Sequence, residues 1–462
     1  MTGSHPAAPD FRSLPTPRAR LARGGKCNTT LEVEVKVVTP ILGGGTQPRA
    51  LDEVDIVRAP TVRGHLRFWW RALYGHEYRT AEELYKTESA VWGRAAGDEG
   101  GRSPVEIRIH VESQSGIDVD NVRLYDSKEG KATPGAYALW PAREVKEKGR
   151  VKTPTAPRYR PGILFRLRLS VPKDREAELR NVLRTWLLFG GYGSRTRRGL
   201  GSFTVAENAG GWLPANPTRE ALTKLLGRDV FTPPKHGPTD IPLLAGASLQ
   251  VGGAMSDAIM AWTTALEWLK EFRQGTSGNP GGRAREPGTG KPQPRRPSIS
   301  NWPEADKVRH LRGKTTSHPP CHNSIPSWPR AGFGLPIIGQ FQKNKRDGGI
   351  YDEPDGFELR WRSPKPDRPL EFEEHDRLAS PVIVKALPLA DGTFAPCALW
   401  LKPAYPDGEV VLRGVGDSAA PFDRLVAPGD TPRFSALAGK ASLREAYLDW
   451  LHGTYKTTVV AP

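Results

Sequence analysis

Cysteine is scarce in this sequence of 462 residues, with only Cys27, Cys321 and Cys397 present. Three thiols so far apart exclude a disulfide framework and point to a reducing compartment, the cytoplasm. Long apolar runs are missing as well. No stretch reaches the length that crosses a bilayer, and the first 26 residues, rich in Pro, Arg and Gly, do not read as a secretory leader. Acidic residues are in deficit, 51 against 67 Lys and Arg, which leaves a formal net charge of +16. Such an excess draws polyanions, and here the basic residues gather with aromatics and glycines rather than scattering.

What is there reads as alternating elements. Leu31, Val33, Val35 and Val37 alternate with Glu32, Glu34 and Lys36, the period-two pattern of a strand with one wet face. Thr39-Pro40 ends it, Gly43-Gly44-Gly45 opens a loop, and Val62, Leu66, Trp69, Trp70 and Leu73 recur at helical spacing. Alternation returns in Val105 to Val111 and in Ile163 to Leu169. Asp174 is placed to cap a second helix with the stripe Leu179, Val182, Leu183, Trp186 and Leu187, followed by a glycine-rich turn and a short strand at Phe203 and Val205.

The resulting order β-α-β-β-α-β predicts two helices on one face of an antiparallel sheet, the other face remaining free to carry RNA. Leu243 to Val251 and the stripe from Met255 to Leu269 repeat that opening. Further strands are expected at 333–341, 357–361, 382–387 and 397–401, with a closing helix at 442–451. The fold class is therefore α+β: two tandem ferredoxin-like, RRM-like domains with insertions. Residues 1–30 are expected to be a flexible basic arm, 31–210 the first domain, 211–240 a linker and 241–462 the second domain. Residues 275–297, almost all Gly, Pro, Arg, Gln and Ser, are expected to form a disordered insertion.

Two stretches carry the functional signal. On a helical wheel Arg63, Arg67 and Arg71 line one face of the helix beside its apolar stripe, with Phe68 away from that stripe and Trp70 at its border. Guanidinium groups that neutralise phosphates next to aromatic faces that stack on bases suit single-stranded RNA. Gly64, early in that helix, suggests a close backbone approach. The second stretch runs from Phe189 to Phe203, with five glycines between Gly190 and Gly201 offering amides, and Arg195, Arg197 and Arg198 offering charge, to a phosphate backbone. It lacks the Gly-Lys-Ser/Thr ending of a nucleotide-binding P-loop and precedes a strand rather than a helix.

Together these stretches resemble the RAMP superfamily of CRISPR-associated proteins, whose hallmark is a glycine- and arginine-rich loop near the end of a ferredoxin-like unit. Within it, the Thr39-Pro40 to Gly45 loop, the Arg63-Gly64 to Trp70-Arg71 helix and the Gly191 to Gly201 loop are similar to those of the first subunits of type III-B (Cmr) RNA-targeting complexes. Asn301-Trp302-Pro303-Glu304, Pro329 to Ile337 and Arg377-Leu378-Ala379-Ser380-Pro381 agree with the likeness. The resemblance implies a subunit that caps the filament end holding the 3′ part of the CRISPR RNA. Its implied partners are the CRISPR RNA, single-stranded target RNA and other RAMP subunits, with no membrane, no cofactor and no cleavage by this chain. The RNA-binding positions expected on this basis are Arg58, Arg63, Arg67, Phe68, Trp69, Trp70, Arg71, Gly191, Tyr192, Gly193, Ser194, Arg195, Arg197, Arg198 and Arg330.

The alternative is an endoribonuclease that processes CRISPR RNA, since related RAMP proteins use a histidine near the first helix and His65 lies there. General acid-base cleavage needs a positioned partner, and His76 shares no face with His65. The loop 39–46 holds no Asp for metal-aided cleavage, which leaves Asp52 and Asp55 as unsupported candidates. His310, His318, Cys321 and His322 form a zinc-like cluster, but its Pro319-Pro320 departs from a zinc knuckle, and no metal is expected.

Overall fold

The computed structural model of the chain describes residues 28–45, 47, 49–94, 101–124, 130–147, 149–234, 241–275, 300–316, 320–341, 343, 349–403 and 405–462. The expected arm and the insertion at 275–297 lie outside the described residues, apart from 28–30 and Gly275.

Strand β1 (Asn28–Val37) turns Leu31, Val33, Val35 and Val37 inward, each at most 3% exposed. Helix α1 (Ala59–Tyr74) opens with Pro60, whose missing N–H costs nothing in a first turn, and is followed by α2 (Ala81–Trp92). Strands β2 (Glu106–Ser113) and β3 (Leu164–Pro172), helix α3 (Glu176–Phe189) and strand β4 (Phe203–Val205) complete the first unit. The sheet order is β2-β3-β1-β4, antiparallel throughout, with Leu31 opposite Leu169 and Val35 opposite Phe165. Asp174 lies in the 3-10 turn before α3 rather than at its N-cap, which is Arg175 and carries no side-chain cap.

The segment expected as a linker holds a helix, α4 (Arg219–Leu226), capped by Thr218, whose hydroxyl accepts from Ala221. Its Leu222 and Leu226 join the first core, and Arg184 and Asn181 of α3 donate to the carbonyls of Leu225 and Leu226. Eight residues were too short a window for periodicity to stand out between so many prolines and glycines.

Strand β5 (Leu243–Val251) and helix α5 (Ala258–Gln274) start the second half, and α6 (Glu304–Leu311) follows. Strands β6 (Ile337–Gly339), β7 (Phe357–Lys365) and β8 (Arg368–His375) come next, then β9 (Val382–Pro388), β10 (Phe394–Lys402), β11 (Glu409–Leu412) and β12 (Ala420–Pro421). Helix α7 (Leu443–Tyr455) and strand β13 (Thr458–Ala461) close the chain. The second sheet has the order β9-β10-β5-β13, which repeats the first. The strands at 337–339 and 357–365 belong instead to a third sheet, β6-β7-β11-β12 with β8 on β7, packed around Trp328, Leu359, Val410 and Phe422.

Alternation along the second sheet sets the layering. Ile383, Leu387, Cys397 and Leu399 face the first unit's helices, while Val382, Val384, Ala398 and Trp400 face α5 and α7. The layers thus run sheet, helices, sheet, helices, and the second sheet is covered on both faces. Among the described residues the outer face of the first sheet is open but bears no Phe, Tyr or Trp. It carries Arg166 and Arg168 paired with Glu32, Glu34 and Glu112 at 2.6–3.4 Å. The face expected to be free for RNA is thus covered in the second sheet, and in the first it offers no aromatic platform among the described residues.

Candidate nucleic-acid interface

The glycine-rich loop after α3 is held from both sides. The N–H groups of Ser194 and Gly201 donate to the carbonyls of Leu42 and Pro40 at 2.7 and 2.9 Å, and the Thr39 hydroxyl donates to Gly199 at 2.7 Å. Gly190 donates to Trp186 and Gly199 to Thr196, so these amides are engaged within the protein instead of facing a phosphate chain.

The loop's arginines divide into two roles. Arg198 is buried, and its guanidinium donates to the carbonyls of Val382 at 3.1 Å and Phe333 at 3.5 Å. Burial pushes its pKa down to about 9. Arg197 donates to the Ser380 carbonyl and lies 5.6 Å from the Phe68 ring, its pKa pushed by burial to about 10. Trp262 of α5 donates to the Arg198 carbonyl at 2.7 Å. Arg197 and Arg198 therefore bind the two halves of the chain together.

Arg195 is the exposed one. It stands at the loop tip with φ +62°. Partial desolvation, then the like charges of Arg273 and Arg377, hold its pKa below the ordinary arginine value. None of these three arginines pairs with a carboxylate among the described residues. Sequence reasoning missed Arg273 and Arg377. Arg377 opens one of the agreeing motifs, which was a usable signal, but Arg273 is brought to the loop only by the packing of α5.

The helix α1 residues are also divided. Trp69 and Trp70 are 3% and 1% exposed, and Trp70 donates to the Glu178 carboxylate, so neither ring has a face for a base. Tyr192 is fully buried and its hydroxyl accepts from the Arg58 N–H at 2.9 Å. Phe68 is half-buried against the edge of Trp69. Arg67 and Arg71 share one Glu88 oxygen, each at 2.7 Å, and Arg58 lies 3.7 Å from Asp52. Arg63 donates to the Val105 carbonyl at 3.1 Å. Gly191 is buried, Gly193 half-buried and Ser194 exposed beside the tip. Arg330 pairs with buried Glu304 at 3.1 Å and lies over Trp302. Gly64 is exposed, and a Cβ there would meet nothing within 4 Å, so no close approach demands glycine.

His65 lines a cleft of about 240 Å³ with Phe68, Thr196, Arg197 and Ile383. Its ring stacks on Trp186 at 6.2 Å, and burial lowers its pKa. The Nε2 atom has no hydrogen-bond partner, so no acid or base is positioned on it among the described residues. His76 instead meets Arg228 at 3.0 Å. In the zinc-like cluster, His322 binds Asp306 at 2.8 Å and His310 meets the His322 carbonyl at 2.8 Å, while His318 lies outside the described residues. Among the described residues no three His, Cys, Asp or Glu side chains are grouped to hold a metal ion, and no helix is long and apolar enough to cross a membrane.

Residues 34–204, which hold the first sheet, α1 and the glycine-rich loop, match the model of the RAMP superfamily, and the chain carries a RAMP superfamily domain there. It is similar to the CRISPR system Cmr subunit Cmr1-1 of Pyrococcus furiosus, with 29% identity over 158 residues. The match covers 34% of this chain and 42% of that relative, less than half its length. Among solved structures it is similar to Cmr1 of Pyrococcus furiosus in its apo form, at TM-score 0.47 and 15% identity over 94% of this chain and 99% of that one. It is also similar to a chain of the type III-B Cmr-beta complex bound to cognate target RNA, at TM-score 0.42 and 11% identity over 92% and 99%.

Proposed function

We propose that this chain is a non-catalytic, RNA-binding subunit of a type III-B (Cmr) CRISPR ribonucleoprotein that works in the cytoplasm. It caps the filament end holding the 3′ part of the CRISPR RNA and touches guide and target RNA beside other RAMP subunits. The observation that carries the RNA reading is the convergence of Arg195, Arg273 and Arg377, without carboxylate partners among the described residues, at the tip of the glycine-rich loop. Unpaired guanidinium groups on a surface neutralise phosphates at little desolvation cost and release counterions. Phe68, half-open beside Arg197, adds a ring edge near the same loop. The repeated strand order, with helices at matching points, supports reading the two sheets as two tandem ferredoxin-like domains.

The test is a salt titration of the full chain binding labelled single-stranded RNA, followed by a gel of the RNA. Intact RNA and a steep salt slope are expected, with Arg195→Ala/Arg377→Ala reducing the slope by about 1 to 2 and weakening binding across sequences. Cleavage at defined positions would overturn the non-catalytic reading and make His65 the first residue to replace.

A further inference from the structure

A second basic cleft lies on the opposite side of α1. At 100° per residue, Arg63 and Arg67 point away from His65, Phe68 and Trp69. The end of α2 and the start of β2 bring Arg94, Arg102 and Arg108 to the same place, around a cavity of about 590 Å³. Glu106 is the acidic residue in its described lining. It meets Arg102 at 2.8 Å and Arg108 at 3.9 Å, while Glu88 serves Arg67 and Arg71. Against those two acids the described lining carries five arginines. The deepest guanidinium is incompletely satisfied. Arg63 donates from Nη2 to Val105, but its Nη1 is buried with no partner among the described residues. Burial and the like charges of Arg67 and Arg102 lower its pKa, a crowding that a bound anion would relieve.

We infer that this cleft binds a phosphate group, with Arg63 at its floor and Arg102 and Arg108 closing over it. Several guanidinium forks around one cavity match the tetrahedral oxygens of phosphate better than a planar carboxylate. The inference does not depend on the RNA reading of the glycine-rich loop, because the cleft shares no residue with it. The phosphate is carried by an RNA backbone, by a strand end, or by a free anion.

The experiment takes the full chain and measures thermal melting in inorganic phosphate against chloride at matched ionic strength. It also measures binding of a short single-stranded RNA with hydroxyl ends and of the same RNA with a 3′-phosphate. Arg102→Ala, whose side chain is 67% exposed and so leaves the core intact, is compared with Arg63→Leu and with the loop variant Arg195→Ala/Arg377→Ala. Phosphate is expected to raise the melting temperature of the unsubstituted chain, and Arg102→Ala to bind it about tenfold more weakly. Equal weakening of both RNAs identifies a backbone phosphate, weakening of the phosphorylated RNA alone a strand end, and no change with either RNA a free anion. A phosphate response absent from the unsubstituted chain, or kept in full by both cleft variants, overturns the inference. RNA binding insensitive to the loop variant sinks the loop reading alone.

Discussion

Trp70 and Gly64 sit six residues apart on one helix and answer substitution in opposite senses. The Trp70 ring is enclosed between α1 and α3 and donates to Glu178, so Trp70→Ala leaves a large cavity and takes from that carboxylate one partner, with Arg175 remaining at 3.0 Å. A loss of about 3 to 5 kcal/mol is expected in urea unfolding. Gly64 is exposed with open space above it, and Gly64→Ala is expected to gain about 0.5 to 1 kcal/mol in the same measurement. A double Phe68→Ala/Trp70→Ala variant would therefore report on folding before it reported on RNA. Phe68→Ala alone, at a half-buried site, is the change that probes the surface.

The element that matters most is the loop joining α3 to β4, because it does two jobs with adjacent residues. Its tip exposes Arg195, while Arg197, Arg198 and Gly199 lock onto β9 and α5. Gly199 has φ +77°, and a Cβ there would lie 2.4 Å from the Trp262 ring and 2.8 Å from the Val384 carbonyl. Gly199→Ala must strain the backbone and push the two halves apart, at a cost of about 2 kcal/mol or more. Equilibrium denaturation checks the cost. RNA binding should weaken along with it, since the lock also sets where Arg195 stands relative to Arg273 and Arg377.

On the scale of the whole molecule, the seam between the first unit's helices and the second sheet contains one fully buried lysine. Lys385 of β9 donates to the carbonyls of Gly190 at 2.7 Å and Leu187 at 3.3 Å, at the C-terminus of α3, where a cation is favoured. Burial outweighs this and pushes its pKa from 10.5 down to about 7. A depressed lysine makes the unfolded chain hold the extra proton between those values, so stability rises with pH from about 7 upward. Above about 9 the neighbouring Cys397, pushed up from 9.0 to about 12, begins to oppose the gain, because its thiol ionises first in the unfolded chain. Melting between pH 7 and 9 is expected to show a rising profile that flattens in Lys385→Met. Identical slopes would mean that Lys385 stays charged when buried.

Local pattern determined a good deal about this protein. The alternation of Leu31 to Val37 and of Phe165 to Leu169, and the stripes of α1 and α3, were legible because burial on one face imposes period two on a strand and 3.6 on a helix. The density of Gly and Arg between Gly190 and Gly201 marked the loop for the same reason, as composition within one short window. Tertiary structure alone decided which of those arginines meet solvent. Arg198 and Arg195 are three residues apart and equally basic, yet one is buried by carbonyls from Val382 and Phe333 while the other joins Arg273 and Arg377. The third sheet, the covering of the second sheet on both faces, and the arginine cleft beside β2 were equally hidden. Each depends on contacts between segments distant in the chain, and the free energy of such a contact is set by what packs against it rather than by the residues on either side in sequence.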